Sequence, residues 1–442
     1  EGKGVSLAIT GAGLDVLIAT GGLEEALSCR GCEGGTLLTC TCPRLRVFGR
    51  MTPHQKVLVV RAYAAAGCIV GMCGDGGNDS GALRAAHAGL ALSARAEASA
   101  AAPFSTDSTS LFALVRLLRE GRASLCTSSA AYRFLVVRGI VVTQAKNVMM
   151  LYAGLYMAPL AYPYLDMLSL SVLLWAICLA RPAARLAPRV PEASLFGPQN
   201  VVSATLATVL YLATLGILIG FLFVQPWFVP FETDVALNEW QTRSDNFESP
   251  IFFLWNAWFA LDLATVFSKG HLYRLKASKN KALVWSVILL ALPCVLLLFS
   301  GETAFNCAFK INCDKWTFFR IKDHWINSFL FPYERIGGDT WSAPLDSTNY
   351  SIFFKILVAA ILLLASLLHH YLHSTLILGP LVQEWMPRRL GWDDGRGRVF
   401  LVWAKAKQRA LFSRRRPGGL REAGTVLRPL EARAEEEEEM EG

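Results

Sequence analysis

Six long apolar stretches constrain this chain more than any other feature. They lie at about 134–157, 160–180, 201–224, 250–268, 282–300 and 352–378. Each comes near the ~17–25 apolar residues that a helix needs to cross a bilayer. The first is interrupted by Arg138, Gln144, Lys146 and Asn147; the others are cleaner. Composition agrees: the 442 residues are 53% hydrophobic and 18% charged, with a mean hydropathy of +0.37. An ordinary soluble domain is roughly 25% charged. A disordered protein is excluded, and a wholly soluble one is argued against. The 11 cysteines are too sparse for a disulfide scaffold.

The net charge of +8 acquires meaning from its distribution. Arg181, Arg185 and Arg189 follow the second stretch. Lys269, Arg274, Lys276, Lys279 and Lys281 follow the fourth, and Arg388, Arg389 and Arg414–Arg416 follow the sixth. Basic loops between apolar spans mark the cytoplasmic side, so this pattern points to membrane topology and not to nucleic acid. The links at 225–249, rich in Glu232, Asp234, Glu239, Asp245 and Glu248, and at 301–350 fall on the opposite side. Six crossings put both ends in the cytoplasm. No basic-then-apolar leader is visible at the start, and Glu1 in place of a start methionine is expected of a piece of a longer chain.

Residues 1–115 have a different rhythm. Ser6–Ile9 and Leu14–Ala19 flank a glycine turn, Leu45–Phe48 reads as a strand, and Pro53–Ala66 as a helix. Cys68–Cys73 reads as a buried strand, Ser80–His87 as a helix and Gly89–Leu92 as a strand. Strand, helix and strand at this spacing predict a parallel sheet. The expected organisation is this α/β unit at 1–115, a stalk helix at 116–133, six spanning helices at 134–380 and a basic then acidic tail at 381–442.

Two motifs carry chemistry. Gly74-Asp75-Gly76-Gly77-Asn78-Asp79 directly follows an apolar strand. Its carboxylates can converge at the C-terminal edge of a sheet, where open α/β folds place ligands. Carboxylates and phosphate oxygens suit Mg²⁺, and the glycines let backbone amides approach an anion. A plain acidic turn is the alternative reading. The second motif, Met51-Thr52-Pro53-His54-Gln55-Lys56, sets a lysine on the first turn of a helix, within reach of a phosphoryl group.

In this order and about 20 residues apart, the two motifs resemble the phosphorylation domain of P-type ATPases, which belongs to the haloacid-dehalogenase-like, Rossmann-like superfamily. Ala96-Glu97-Ala98-Ser99, Ala102-Pro103-Phe104, Gln225-Pro226-Trp227-Phe228-Val229-Pro230 and Val266-Phe267-Ser268-Lys269-Gly270 are similar to the type V, subgroup B branch. Gly77 stands where that family has Ala. The resemblance implies a partial α/β haloacid-dehalogenase-like domain followed by an all-α bundle of six membrane helices. It implies Asp75 as the Mg²⁺ ligand, Asn78 and Asp79 as orienting groups, Gly74, Gly76 and Gly77 as the phosphate loop, and Lys56 as the cation beside an aspartyl phosphate. It further implies ATP and Mg²⁺ as cofactors of the full-length protein, polyamine or another organic cation as cargo, and an endosomal, lysosomal or vacuolar membrane.

The family's Asp-Lys-Thr-Gly-Thr nucleophile motif is not found, and Asp107-Ser108-Thr109 and Asp346-Ser347-Thr348 lack its context. The chain alone is therefore expected neither to hydrolyse ATP nor to transport, and to need the N-terminal part of the same pump. A helix-extracting pump of type V subgroup A and a non-catalytic scaffold are the alternatives.

Ionisable and amide groups within spans are functional candidates by default. By the resemblance, Gln144 and Asp166 line the cargo path, with Tyr152, Tyr156, Tyr162 and Tyr164 as cation–π partners; a structural Lys146–Asp166 pair is the alternative for the two charges. Asp262 is expected to have a structural partner. Cys307 and Cys313 share the non-cytoplasmic loop, where a disulfide is one of two open states, and Asn349-Tyr350-Ser351 is a glycosylation acceptor on the same side. Cys29, Cys32, Cys40 and Cys42 read as loop thiols ahead of a zinc site. His369, His370 and His373 read as interfacial side chains reaching for water ahead of a metal pair.

Overall fold

The computed structural model describes residues 7–20, 45–65, 69–75, 77–92, 102–108, 110–187, 190–231, 244, 246–270, 272–313, 348–379 and 381–386. The four loop cysteines at 29–42, Gly76, the 93–101 segment and the tail lie outside them. The chain divides into two compact units that meet in the sequence at Leu118 and Arg119.

In the first unit, β1 (Leu7–Thr10) runs into α1 (Gly11–Ala19), and β2 (Leu45–Gly49) is followed by α2 (Pro53–Ala65). β3 (Gly71–Gly74), α3 (Ser80–Ala85), β4 (Ala88–Ala91) and β5 (Phe104–Ser105) complete it. All pairing among the described strands is parallel: β1 with β2, and β4 between β3 and β5. Parallel neighbours require crossovers, and α3 supplies the one between β3 and β4. Fully buried Leu14 packs with Ile9, Ile18, Met51, Val59 and Tyr63, and Leu83 and Ala91 pack with Met72.

One expectation here needs correcting. Gly11 does not begin a turn; it begins α1. A Cβ at Gly11 would stand 2.6 Å from Gln55 Oε1 and 2.8 Å from the Arg50 carbonyl, so the glycine serves the close approach of the next strand–helix unit. The third strand also starts later than its apolar run, at Gly71.

The second unit is helical. α4 runs from Phe112 to Ala153 without a break. At 42 residues it is about 63 Å long, twice a bilayer's ~30 Å hydrocarbon core. The expected stalk and first span are thus one rod. It stops short of 157 because Gly154 takes a left-handed conformation, φ 63°, a common way for a helix to end.

After an extended stretch, a π turn at Pro163–Ser169 leads into α5 (Leu170–Cys178). Then come α6 (Pro198–Phe223), α7 (Glu248–Phe267), α8 (Lys281–Phe299), short α9 (Ala304–Ala308) and α10 (Ile352–Leu372), which continues as a π turn to Ile377. Helix starts follow local chemistry. Asn280, Thr303 and Ser351 each accept a bond from a backbone amide of the following first turn, the expected role of an N-cap.

Five of these helices are long and apolar enough to cross a membrane: α4, α6, α7, α8 and α10 with its continuation. The remaining expected span holds the shorter apolar helix Pro163–Cys178. α7 is the centre of the unit. Eighteen of its twenty residues are buried, and Trp255 Nε1 donates to the Tyr211 carbonyl at 3.1 Å. Cys307 and Cys313 form a disulfide, which resolves the two open states in favour of pairing. The Asn349 side chain is engaged by Glu302.

Trp255→Ala removes a fully buried side chain from this centre, and deletions of this kind cost about 3–5 kcal/mol. The expected outcome in purified protein is a clearly lowered Tm, with Trp285→Ala, on the exposed face of α8, leaving it unchanged.

Candidate functional site

The first candidate site is built around the end of β3. Arg50 turns the chain out of β2 with φ 52°, a conformation uncommon outside glycine. Thr52 then caps α2. The Gln55 amide donates to Thr52 Oγ1 at 3.3 Å, and the Thr52 amide donates back to Gln55 Oε1 at 2.9 Å. This reciprocal capping box fixes the start of the helix, with Pro53 in the first turn, where a missing N–H costs nothing. Gln55 Nε2 also donates to the Gly11 carbonyl and to Asp15 Oδ1, tying α2 to α1. Lys56 is thereby held on the first turn.

Lys56 Nζ lies 2.6 Å from Asp79 Oδ1. Asp79 is 8% exposed and ends the tight turn Gly77–Asp79. The reason for glycine at 74 is visible: a Cβ there would stand 2.6 Å from Asp79 Cβ and 2.7 Å from its Oδ2. Asp75, immediately past β3, is exposed, as are Gly77 and Asn78. Ser80 Oγ donates to the Gly77 carbonyl at 2.7 Å and closes the turn. Burial pushes the Cys73 thiol up, which keeps it protonated and inert beside the acidic turn.

The structure therefore joins Lys56, Asp79 and Gly74, and leaves Asp75 and Asn78 facing solvent at the C-terminal end of a parallel strand. Among the described residues no three His, Cys, Asp or Glu side chains gather into a metal cage. An exposed carboxylate beside a neutralised one fits Mg²⁺, which is typically held by one or two carboxylates plus phosphate oxygens and water.

The second candidate site is on the membrane unit. Asp166 sits in the π turn. Its Oδ1 is 3.4 Å from Arg138 and its Oδ2 is 3.2 Å from Lys146. Arg138 also donates to the Leu165 carbonyl at 2.5 Å. Lys146 Nζ stands 5.1 Å from the centre of the Tyr162 ring. The Lys146–Asp166 pair weighed from the sequence is formed, and Arg138 joins it. That third partner was readable only as a charge interrupting a span.

Gln144 is exposed on α4 and makes no hydrogen bond to Asp166 among the described residues. Of these four tyrosines, Tyr162 alone faces a cation among the described residues. Tyr152 stacks on Phe223, the Tyr156 carbonyl accepts from Ser249, and the Tyr164 hydroxyl donates to the Leu290 carbonyl.

Asp262 finds a structural partner in His369, with Oδ2 and Nδ1 2.5 Å apart. This corrects the expectation for the histidines. His369 and His373 are fully buried and do not reach for water; His370 alone is part-exposed, and the Lys269 ammonium donates to its carbonyl at 2.9 Å.

These two sites define the class: an α/β unit with an acidic, lysine-neutralised corner, and a multi-pass helical unit with a charged cluster between its apolar helices. Comparison with known proteins agrees. No family model matches the chain. It is 28% identical over 315 residues to the polyamine-transporting ATPase 13A3 of Mus musculus, covering 67% of this chain and 25% of that protein. It is 32% identical over 249 residues to the polyamine-transporting ATPase 13A2 of Homo sapiens, covering 55% and 20%. It is 32% identical over 273 residues to the probable cation-transporting ATPase 13A5 of Homo sapiens, covering 55% and 22%. The chain's homologues are P-type ATPases of the 13A group, as the resemblance to the type V polyamine subgroup indicated. The chain spans about a quarter of the length of these relatives.

Gly74→Ala forces Asp79 to move, because the new Cβ overlaps it. Overpacking of this kind costs about 1–3 kcal/mol. Faster amide hydrogen exchange across Gly71–Leu92 is the expected outcome, with exchange in α7 unaltered.

Proposed function

We propose that this chain is the C-terminal part of an ATP-driven type V pump that moves a polyamine or another organic cation from an organelle lumen to the cytosol through an aspartyl-phosphate cycle. The observation that carries the reading is the Lys56–Asp79 contact at the end of a parallel strand, directly beside exposed Asp75. On this reading the organelle is an endosome, lysosome or vacuole, and the α/β unit and both chain ends are cytoplasmic, as the basic loops indicate. The α/β unit is the C-terminal part of a haloacid-dehalogenase-like phosphorylation domain. Pro163–Cys178, extended by the stretch before it, counts as the sixth span.

The roles follow from charge. Phosphoryl transfer asks a protein mainly to position groups and to stabilise charge. Lys56 supplies a positive charge next to the transferred group. Asp79 fixes the lysine ammonium, and Gly74 makes room for Asp79. Asp75 is the carboxylate that holds Mg²⁺, with Gly77 and Asn78 exposed on the same turn. Bound Mg²⁺ supplies neutralisation of phosphate charge. ATP binding and the phosphorylated aspartate belong to the N-terminal part of the pump. In the membrane unit, Asp166 is the carboxylate that meets a cargo ammonium. No observation favours the helix-extracting or scaffold alternatives.

Asp75→Asn in the full-length protein is expected to lower Mg²⁺-dependent ATP hydrolysis by about a hundredfold or more, the scale of losing one charge-positioning group, at unchanged protein level. A retained rate contradicts the assignment. Asp166→Asn is expected to raise the half-saturating polyamine concentration on the order of tenfold, the scale of one charge-assisted contact of about 1.5 kcal/mol, while ATP hydrolysis without added polyamine persists.

A further inference from the structure

Two cations share the Asp166 carboxylate, and they differ in kind. The Arg138 side chain is 5% exposed and does two jobs, meeting Asp166 Oδ1 and donating to the Leu165 carbonyl. Withdrawing it would strand a buried guanidinium and leave the carbonyl of fully buried Leu165 unbonded, both expensive. The Lys146 side chain is 36% exposed. Among the described residues its ammonium meets Asp166 Oδ2 at 3.2 Å and the face of Tyr162 at 5.1 Å. Exposed pairs of this type contribute about 0–1 kcal/mol, and a lysine ammonium is a point charge on a flexible stem. Arg138 is fixed and Lys146 is exchangeable.

The surroundings of the Lys146 ammonium are those that any aliphatic ammonium takes: one carboxylate oxygen and one aromatic face. We propose that Lys146 is a tethered stand-in for cargo. Its ammonium holds Asp166 when no cargo is present, and a primary ammonium of the cargo displaces it while Arg138 stays in place. This rests on the reading of Asp166 as a cargo contact.

The exchange is one for one. A positive charge leaves the carboxylate for each that arrives, so Asp166 receives a single ammonium head, and further amines of a polyamine are met elsewhere. Lys146 then sets affinity by competition. A purely structural Lys146 has the opposite signature, because its loss would loosen the joint between α4 and the π turn and weaken binding.

The test uses the full-length protein in lipid nanodiscs, with spermine binding followed by ligand-induced thermal shift. Lys146→Met and Lys146→Gln are expected to lower the half-saturating spermine concentration about two- to fivefold, equivalent to about 0.4–1 kcal/mol, and Lys146→Arg to stay near wild type. A wild type that is silent to spermine while Lys146→Met responds also supports the proposal. Unchanged or weaker binding in both neutral variants, with Asp166→Asn weakening binding, overturns the proposal and leaves the cargo reading standing. Unchanged binding in Asp166→Asn, or no spermine response in wild type and neutral variants alike, removes the cargo reading and the proposal together.

Discussion

The Arg138 guanidinium ties the π turn at Pro163–Ser169, which follows the membrane unit's irregular segment, to α4. Between Gly154 and Leu160 the backbone is not helical, yet Leu155, Met157 and Ala158 are almost fully buried. Non-helical backbone at membrane depth survives only where protein satisfies its polar groups. Ser249 Oγ donates to the Tyr156 carbonyl from the start of α7, the Met157 amide meets the Tyr162 hydroxyl, and Arg138 takes the Leu165 carbonyl from the side of α4. The same guanidinium sits against Asp166. The π turn in the second span and the carboxylate that marks it therefore share one partner, Arg138. Unwound or π-distorted helix is where membrane transporters commonly present groups to cargo.

The soluble unit depends on a comparable economy of parts. Thr52 and Gln55 cap each other and set the direction of α2, which delivers Lys56 to Asp79. Gly74 leaves the space that Asp79 fills. Asp75 then remains exposed at its own strand end, within reach of a hard cation and a phosphate. The two carboxylates of the motif are thereby separated in role: one is neutralised by the lysine and the other is offered to solvent.

Much of this was legible from residue order because the determinants are local. Caps, a helix-starting proline, short parallel strands and apolar spans each announce themselves within a few residues, and β2, α2, α3, β4 and the later spans lie close to where the sequence puts them. The misreadings involve partners distant along the chain. Gly11 looked like a turn because its reason, Gln55, is 44 residues away. Arg138 looked like a flaw in a span because the carbonyl and carboxylate it serves are 27 and 28 residues on. His369 looked interfacial because Asp262 lies 107 residues before it. Gln144 carries a different lesson: the resemblance places it on the cargo path beside Asp166, and in the structure it stands exposed on α4.

On the proposed reading, the Gly74–Asp79 corner with Lys56 holds a magnesium-bound phosphoryl group. The most direct measurement is a cryo-electron microscopy map of the full-length protein trapped with Mg²⁺ and aluminium fluoride. Metal density in contact with the Asp75 carboxylate, with the Lys56 ammonium turned toward the fluoride, is the expected result. Metal and fluoride density bound away from both side chains would contradict it.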